Sequence, residues 1–315
     1  MKTNYDIIEG RLVSTKDANS KIQVFVDPDE LERLYLLGEL QLDEHTLASA
    51  LDPDELSRVE FEPDHVAVIF KRPKHYAEKG DLLFRVSSMG LYLFKDRLIA
   101  VLSNDDTIFE SGKDVSHITG GLPELLIRLF ARSISQFLSH IHTISVLVNE
   151  LEDKLKTTMT NRHLLHLFML NRSMTYYLSA ISANSTLIDR LRGHSEKIGF
   201  TAEHNELLED LSVDNAQCYK QAEIYSVILS GLMDARAAVV NNNLNLQIRL
   251  LTILTVIFLP LNVIASVFGM SEYTVFTAEH GLHWKIAYPV FGVGLIVVGF
   301  LTYWFLQLIG LNRDT

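Results

Sequence analysis

At 315 residues the chain has room for one large water-soluble domain and a membrane anchor, domains commonly running to about 100–200 residues. Its net charge of −11 belongs wholly to the first 244 residues, because Arg249, Lys285 and Arg313 cancel Glu272, Glu279 and Asp314 beyond them. So acidic a surface repels phosphate backbones, which excludes nucleic acid as a partner and suits cations. Cys218 is the single cysteine, so no intrachain disulfide forms and a reducing compartment is expected.

Met1 to Gly10 is polar and charged and has no apolar core of a signal peptide. The first hydrophobic segment is therefore expected to do the targeting, leaving the N-terminal part in the cytoplasm. From about Lys21 to Asn104, strands mix with short helices. Ile22 to Val26 alternates as a strand, and Asp27-Pro28-Asp29-Glu30 caps a helix through Leu40 with proline in its first turn. Asp43 opens a second short helix to Leu51. Val59 to Phe61, His65 to Phe70, Leu82 to Val86, Leu91 to Phe94 and Leu98 to Leu102 read as strands, separated by turns such as Glu62-Pro63-Asp64 and Lys79-Gly80-Asp81. The short connections predict a largely antiparallel α/β layer, assigned to 1–120.

After Gly120-Gly121 the strand signals stop. Apolar spacings of three and four predict two long helices, Leu122 to about Thr160 and Asn161 to about Gly193, within a helical hairpin assigned to 121–201. From Ala202 to Pro260 only Gly231 interrupts a helical pattern of 59 residues, on the order of 90 Å at about 1.5 Å per residue. Such a helix serves as a stalk, 202–249, running into a membrane.

Leu250 to Met270 holds no Asp, Glu, Lys or Arg in 21 residues, and Ile286 to Leu311 none in 26. Each crosses a hydrocarbon core of roughly 30 Å as a helix. The 15 intervening residues make an antiparallel hairpin: transmembrane helix 1 over 250–270, an extracytoplasmic loop over 271–285, transmembrane helix 2 over 286–311 and a cytoplasmic tail at 312–315. Both termini then face the cytoplasm, with a weak positive-inside signal from Arg236, Arg249 and Arg313 against Lys285.

The first span carries Asn245, Ile248, Thr252, Thr255, Leu259, Asn262 and Ser266 at alternating spacings of three and four, one narrow helix face. An amide at Asn262, deep in the apolar run, is costly facing lipid and must meet a partner helix or water. Two readings follow: a homo-oligomeric, water-containing pore lined by this stripe, or small polar residues that let helices pack and bond locally. Pro260 would kink or loosen the helix. The second span has no such stripe. Gly292, Gly294 and Gly299 would permit close approach to the first helix, and Tyr303 and Trp304 suit an interfacial belt.

Several segments together resemble the CorA family of divalent-cation channels, whose relatives include the ZntB-type zinc transporters. They are the C-terminal two-helix hairpin, the proline within its first helix, Phe268-Gly269-Met270 at that helix's end, and Leu229-Ser230-Gly231-Leu232-Met233-Asp234 upstream. Leu47-Ala48-Ser49-Ala50-Leu51-Asp52 and Lys71-Arg72-Pro73-Lys74 add to it. The resemblance covers essentially the whole chain. It implies an α+β cytoplasmic domain forming an αβα funnel, a long stalk helix and the two-helix membrane hairpin, assembled as a homopentamer in a bacterial inner membrane with lipid and divalent cations as its other partners.

The family signature Gly-Met-Asn is altered here to Gly269-Met270-Ser271. In the family, asparagine amides ring the outer pore mouth, where neutral oxygens bond the inner-shell waters that magnesium sheds reluctantly. A serine hydroxyl is shorter and makes a wider, weaker ring. A gapless match from Gly269 puts the family's pore positions on Asn245, Ile248, Leu251, Leu259, Asn262 and Ser271, with Leu251 where periodicity points to Thr252. Ile248, Leu251 and Leu259 would gate by excluding water. The same match puts stalk carboxylates that hold regulatory metal on Asp234, otherwise a solvated stalk charge, and on Asp210, for which it identifies no partner and Glu78 or Asp81 are only candidates. Glu272 and Glu279 would form an outer ring that concentrates cations; each is otherwise an ordinary loop acid.

His280 with His283, and His163 with His166, are spaced to share a metal but have no cysteine nearby, and surface histidines are the simpler reading. No phosphate loop, nucleophile elbow or zincin motif occurs, so no enzyme and no organic cofactor are expected. The function implied is conduction of divalent cations, Mg2+ first with Co2+ or Ni2+ as passengers. The alternatives are a proton-coupled Zn2+ importer and a non-conducting scaffold or sensor of the same shape.

Overall fold

A computed structural model describes residues 1–17, 20–74, 83–103, 109, 118–156, 161–268, 271–281 and 283–308. The chain divides into two compact units, Met1–Asp234 and Ala235–Thr315.

The first unit is built on a seven-stranded sheet: β1 (Lys2–Ile8), β2 (Arg11–Thr15), β3 (Ile22–Val26), β4 (Arg58–Phe61), β5 (His65–Pro73), β6 (Val86–Phe94) and β7 (Leu98–Leu102), in the order β2-β1-β3-β7-β6-β5-β4. Every neighbouring pair is antiparallel except β3 and β7 at the centre, which run parallel from Ile22↔Leu98 to Val26↔Leu102. That exception to the antiparallel expectation has a simple cause. The whole excursion from α1 to β6 lies between the two strands and supplies the long crossover that parallel pairing needs.

Helices cover both faces, so the central strands read as continuous apolar runs rather than alternating ones. Alternate residues still divide cleanly. Val68, Phe70, Met89, Leu91, Leu98 and Ala100 face one core, while Ala67, Ile69, Tyr92, Ile99 and Val101 face the other. The second core lies under α1 (Glu30–Leu34), a π-helical turn at Tyr35–Glu39 and α2 (Glu44–Leu51). Asp29 caps α1 through a capping box with Glu32, which leaves Pro28 ahead of the cap rather than in the first turn. Asp43 caps α2 by accepting the Thr46 N–H at 2.9 Å. Gly90 lets α2 close on the sheet: a Cβ there would stand 2.5 Å from Ala50 Cβ.

Two further features depart from expectation. The strand pair β1–β2 was not foreseen in the polar N-terminus. It is an edge hairpin that buries Tyr5 and Leu12 and turns at Glu9 (φ 50°) and Gly10 (φ 74°). Of the strand expected at Leu82 to Val86, Leu82 lies outside the described residues and 83–85 form no strand, while Val86 joins the strand expected at Leu91 to Phe94 in one continuous β6. Ser87-Ser88-Met89-Gly90 carries no alternation, yet its residues are buried between two helical layers.

The opposite face packs on α3 (Gly121–Lys156) and α4 (Asn161–Gly193), followed by the short α5 (Ser195–Ile198) and α6 (Ala202–Phe268). Within the first unit, α6 buries Leu208, Leu211, Asn215, Cys218, Ala222 and Leu229, a stripe of helical period, and Asn215 Nδ2 donates to Ile181 O of α4 at 3.1 Å. Burial pushes the Cys218 thiol up to about 12, so it acts as a small core residue and not as a thiolate ligand.

Candidate functional site: the C-terminal helical hairpin

The second unit holds the end of α6, α7 (Ser271–Glu279) and α8 (Trp284–Leu308). The helices at Ala202–Ser266 and Lys285–Gln307 each contain a window long and apolar enough to cross a bilayer, and these windows are almost wholly unburied within the chain. A soluble protein would bury them; exposure of this kind calls for lipid or further copies of the chain.

The two helices meet where Leu261 approaches Gly299. On the membrane part of α6 the half-covered apolar residues are Ile253, Ile257, Pro260, Leu261, Ile264 and Ala265, and Ile253, Ile257, Leu261 and Ile264 among them are spaced four, four and three apart. Leu261 lies over Gly299 of α8, where a Cβ would sit 3.5 Å from Leu261 Cδ1. Gly292 and Gly294, also expected to permit close approach, have nothing within 4 Å of such a Cβ. Gly299 alone of the three lies against the first helix.

The polar seam is elsewhere. At roughly 100° per residue, Asn245, Ile248, Thr252, Thr255, Leu259, Asn262 and Ser266 lie within about 60° of the direction opposite the Ile257–Leu261 line, and Leu251 within about 80°. All eight are exposed. Leu251 and Thr252 flank one face, so the two sequence registers describe one surface. Thr252 Oγ1 donates to Ile248 O and Thr255 Oγ1 to Leu251 O, both at 2.8 Å. Each hydroxyl proton is therefore used inside the helix, and only oxygen lone pairs are offered outward. α6 continues as one helix through Pro260, whose missing N–H removes a single bond to the carbonyl of Val256.

Gly269 and Met270 lie outside the described residues. Ser271 and Glu272 fall on the first turn of α7, with their side chains outside the described set. The connection expected as a loop over 271–285 thus contains a two-turn helix. No glycine or proline interrupts 271–280, and Gly281, at φ 73°, ends it. Glu279 is exposed at its last position. His280 Nδ1 donates to Phe276 O at 2.9 Å, and His283 Nδ1 accepts the Lys285 N–H at 3.4 Å, so each ring is already bonded locally.

Asp210 and Asp234 are both exposed on α6, many turns apart, and Glu78 and Asp81 lie outside the described residues. Among the described residues, no group of three or more His, Cys, Asp or Glu side chains is placed to hold a metal ion. A metal-binding cluster is thus absent from the described part of the single chain. What sequence reasoning did not single out is the covering line Ile253–Ile257–Leu261–Ile264. All faces of a membrane helix are apolar, and the only signal marking this one is its position opposite the polar seam.

Fold and hairpin together define a membrane protein with a mixed α/β/α domain, a long helix leading from it, and a terminal pair of apolar helices of which one carries a polar seam. The family described as CorA-like Mg2+ transporter protein matches residues 23–307, and the chain belongs to that family. It is 26% identical over 257 residues to the cobalt/magnesium transport protein CorA of Methanocaldococcus jannaschii, covering 78% of each chain. The complete structure of the CorA magnesium transporter from that organism shares the fold, with a TM-score of 0.75 at 18% identity over 97% of this chain and 96% of the other. The ZntB cytoplasmic domain from Vibrio parahaemolyticus shares it over 76% of this chain and 98% of that one, with a TM-score of 0.61 at 10% identity.

Proposed function

We propose that the protein is a homopentameric conduit for divalent cations, magnesium first, in a bacterial inner membrane with both termini in the cytoplasm. One observation carries the reading: the seam from Asn245 to Ser266 lies on the side of α6 away from α8 and is left uncovered by its own chain. An amide at Asn262 cannot be left facing hydrocarbon without cost. Five copies of α6 around an axis give it water and neighbouring amides, and put α8 outside against lipid.

In this arrangement cations gather at Glu279 and Glu272, pass Ser271 and then the Asn262 ring, and meet the constriction from Leu259 to Ile248. Its apolar side chains exclude water when the helices are close. Neutral oxygens along the path bond the hydration shell of magnesium without stripping it. The membrane potential drives inward flux, at about 2.3 kcal/mol per charge per 100 mV. Exposed Asp234 and Asp210 would bind cytoplasmic magnesium through oxygen between neighbouring subunits and hold the conduit shut until its level falls. The names of the relatives, a cobalt/magnesium transport protein and a magnesium transporter, support magnesium and cobalt as cargo.

Ser271 favours a second reading, a proton-coupled zinc importer. The residue type that suits hydrated magnesium is absent from the signature, and the cytoplasmic fold is shared with ZntB. Purified protein in liposomes, loaded in turn with Mg2+, Co2+, Ni2+ and Zn2+ with and without a pH gradient, separates the two. Magnesium flux indifferent to the gradient supports the first reading, and zinc flux that follows the gradient supports the second. Ser271→Asn should shift preference toward magnesium. Background flux of every metal, unchanged by Ser271→Asn, would leave only a non-conducting scaffold.

A further inference from the structure

Between Asp153 and Asp189 the chain has no carboxylate, although its net charge is −11. This acid-free stretch ends α3 and makes up nearly all of α4, and two of its cations, Lys154 and Arg162, line one cavity with His163 and His166. A cavity of ≈ 300 Å3 opens between the two helices, with Leu151 on its floor. Its walls carry Glu150 and Lys154 from α3 and Arg162, His163 and His166 from α4. Glu150 is the one acid among these lining residues, and it is held by Lys154 Nζ at 2.5 Å.

On the α4 side the charge is one-sided, whereas α3 brings Glu150, Glu152 and Asp153 beside Lys154. α4 has no acidic residue in its first turn, where Asp or Glu would complement the positive end of the helix; Arg162 and His163 stand there instead. His166 is held below the ordinary histidine range, by burial first and then by Arg162, His163 and Lys154. A metal cation is the wrong occupant: Arg162 and Lys154 repel it, and no three-ligand group exists here among the described residues. Two histidines one turn apart would otherwise have invited a zinc reading.

We propose that this cavity binds a phosphate-type oxyanion, either a soluble phosphate ester or the headgroup of an anionic lipid. Arg162 supplies a planar fork matched to two phosphate oxygens, and the histidine rings each supply a single N–H donor. Leu147 and Leu151 give a short organic group an apolar floor. Glu150 tempers the site by occupying Lys154.

The test uses the full-length protein in neutral detergent, titrated calorimetrically with inorganic phosphate and with AMP. In parallel, nanodiscs of phosphatidylcholine are compared with nanodiscs containing phosphatidic acid. Binding in detergent identifies a soluble anion; binding confined to phosphatidic acid identifies a lipid headgroup; either supports the proposal. Arg162→Gln and His166→Gln should each weaken binding about tenfold, the loss of one charge-assisted hydrogen bond. Glu150→Gln should strengthen it by removing the one carboxylate that lines the cavity, a change of sign that a purely structural role would not produce. Arg172→Gln, on the same helix outside the cavity, should leave it unchanged. Absence of binding to inorganic phosphate, AMP and phosphatidic acid alike would overturn the proposal, and so would equal losses from Arg162→Gln and Arg172→Gln.

Discussion

Asn184 of α4 clasps the main chain of Lys71 on β5: its Oδ1 accepts the Lys71 N–H at 3.0 Å, and its Nδ2 donates to Lys71 O at 2.8 Å. β4 pairs with β5 only as far as Arg58↔Ile69, so the outer edge of β5 has no strand beside it at Lys71. The carboxamide stands in for the missing peptide group, and Ser57 Oγ donates to Asn184 Oδ1 at 2.7 Å. Both partners are buried, so neither backbone group has water to turn to.

Asn184→Leu should therefore lower the unfolding free energy by about 2–4 kcal/mol, the cost of two unpaired buried backbone groups. Ser57→Ala should cost about 1 kcal/mol. Urea unfolding followed by circular dichroism measures both, and an Asn184→Leu protein as stable as the parent would contradict the edge-cap role.

Leu261 and Gly299 define which side of α6 is turned inward to its own chain. Gly299→Leu should push α8 away and depress both thermal stability and flux, because the added side chain has Leu261 in its place. Gly292→Ala and Gly294→Ala should be silent, since a methyl at either meets nothing. Thermal unfolding of the three variants in one detergent decides this; an equal loss from Gly294→Ala would mean that α8 packs on another face.

Along the polar seam the expected effects are unequal. Asn262→Leu should abolish cation flux, whereas Thr252→Val and Thr255→Val should change it by less than about threefold. Their hydroxyl protons are already given to Ile248 O and Leu251 O. Leu259→Ser should raise the leak by wetting the constriction. Metal-sensitive dye inside proteoliposomes reads all four, and normal flux through Asn262→Leu would remove α6 from the pathway.

Acid should weaken the start of α3 in a predictable window. Burial pushes the Glu124 carboxyl up, but the Gly120 N–H, the Arg128 guanidinium and the Thr119 N–H outweigh it and hold the group below the usual carboxylate range. A folded-state value below the unfolded one contributes stability that is present above about pH 4.3 and is lost as pH falls further. Glu124→Gln should thus be less stable than the parent at pH 7, with the gap narrowing as the pH falls below the ordinary carboxylate range. A gap that stays constant over that fall would show that Glu124 acts by shape alone.

Much of this could be read from the chain unaided. Uncharged runs of 21 and 26 residues announce the two apolar helices, because hydrocarbon tolerates no alternative there. The three- and four-residue spacings announce the long helices, and Phe268-Gly269-Met270 the family. The β1–β2 hairpin was not legible, since an edge hairpin half open to solvent needs only Tyr5 and Leu12 inside. Nor was the parallel β3–β7 pair, which joins segments more than seventy residues apart.

Local rules reach as far as hydrogen bonds and side-chain periods within one segment, and they suffice for the helices, the spans and the polar stripe of α6. They do not say which side of α6 its own chain covers. That was settled by where Leu261 meets Gly299, just as the β5 edge was settled by Asn184 arriving from a helix 113 positions away. Contacts of that range depend on how whole layers stack, and no short stretch of residues encodes them.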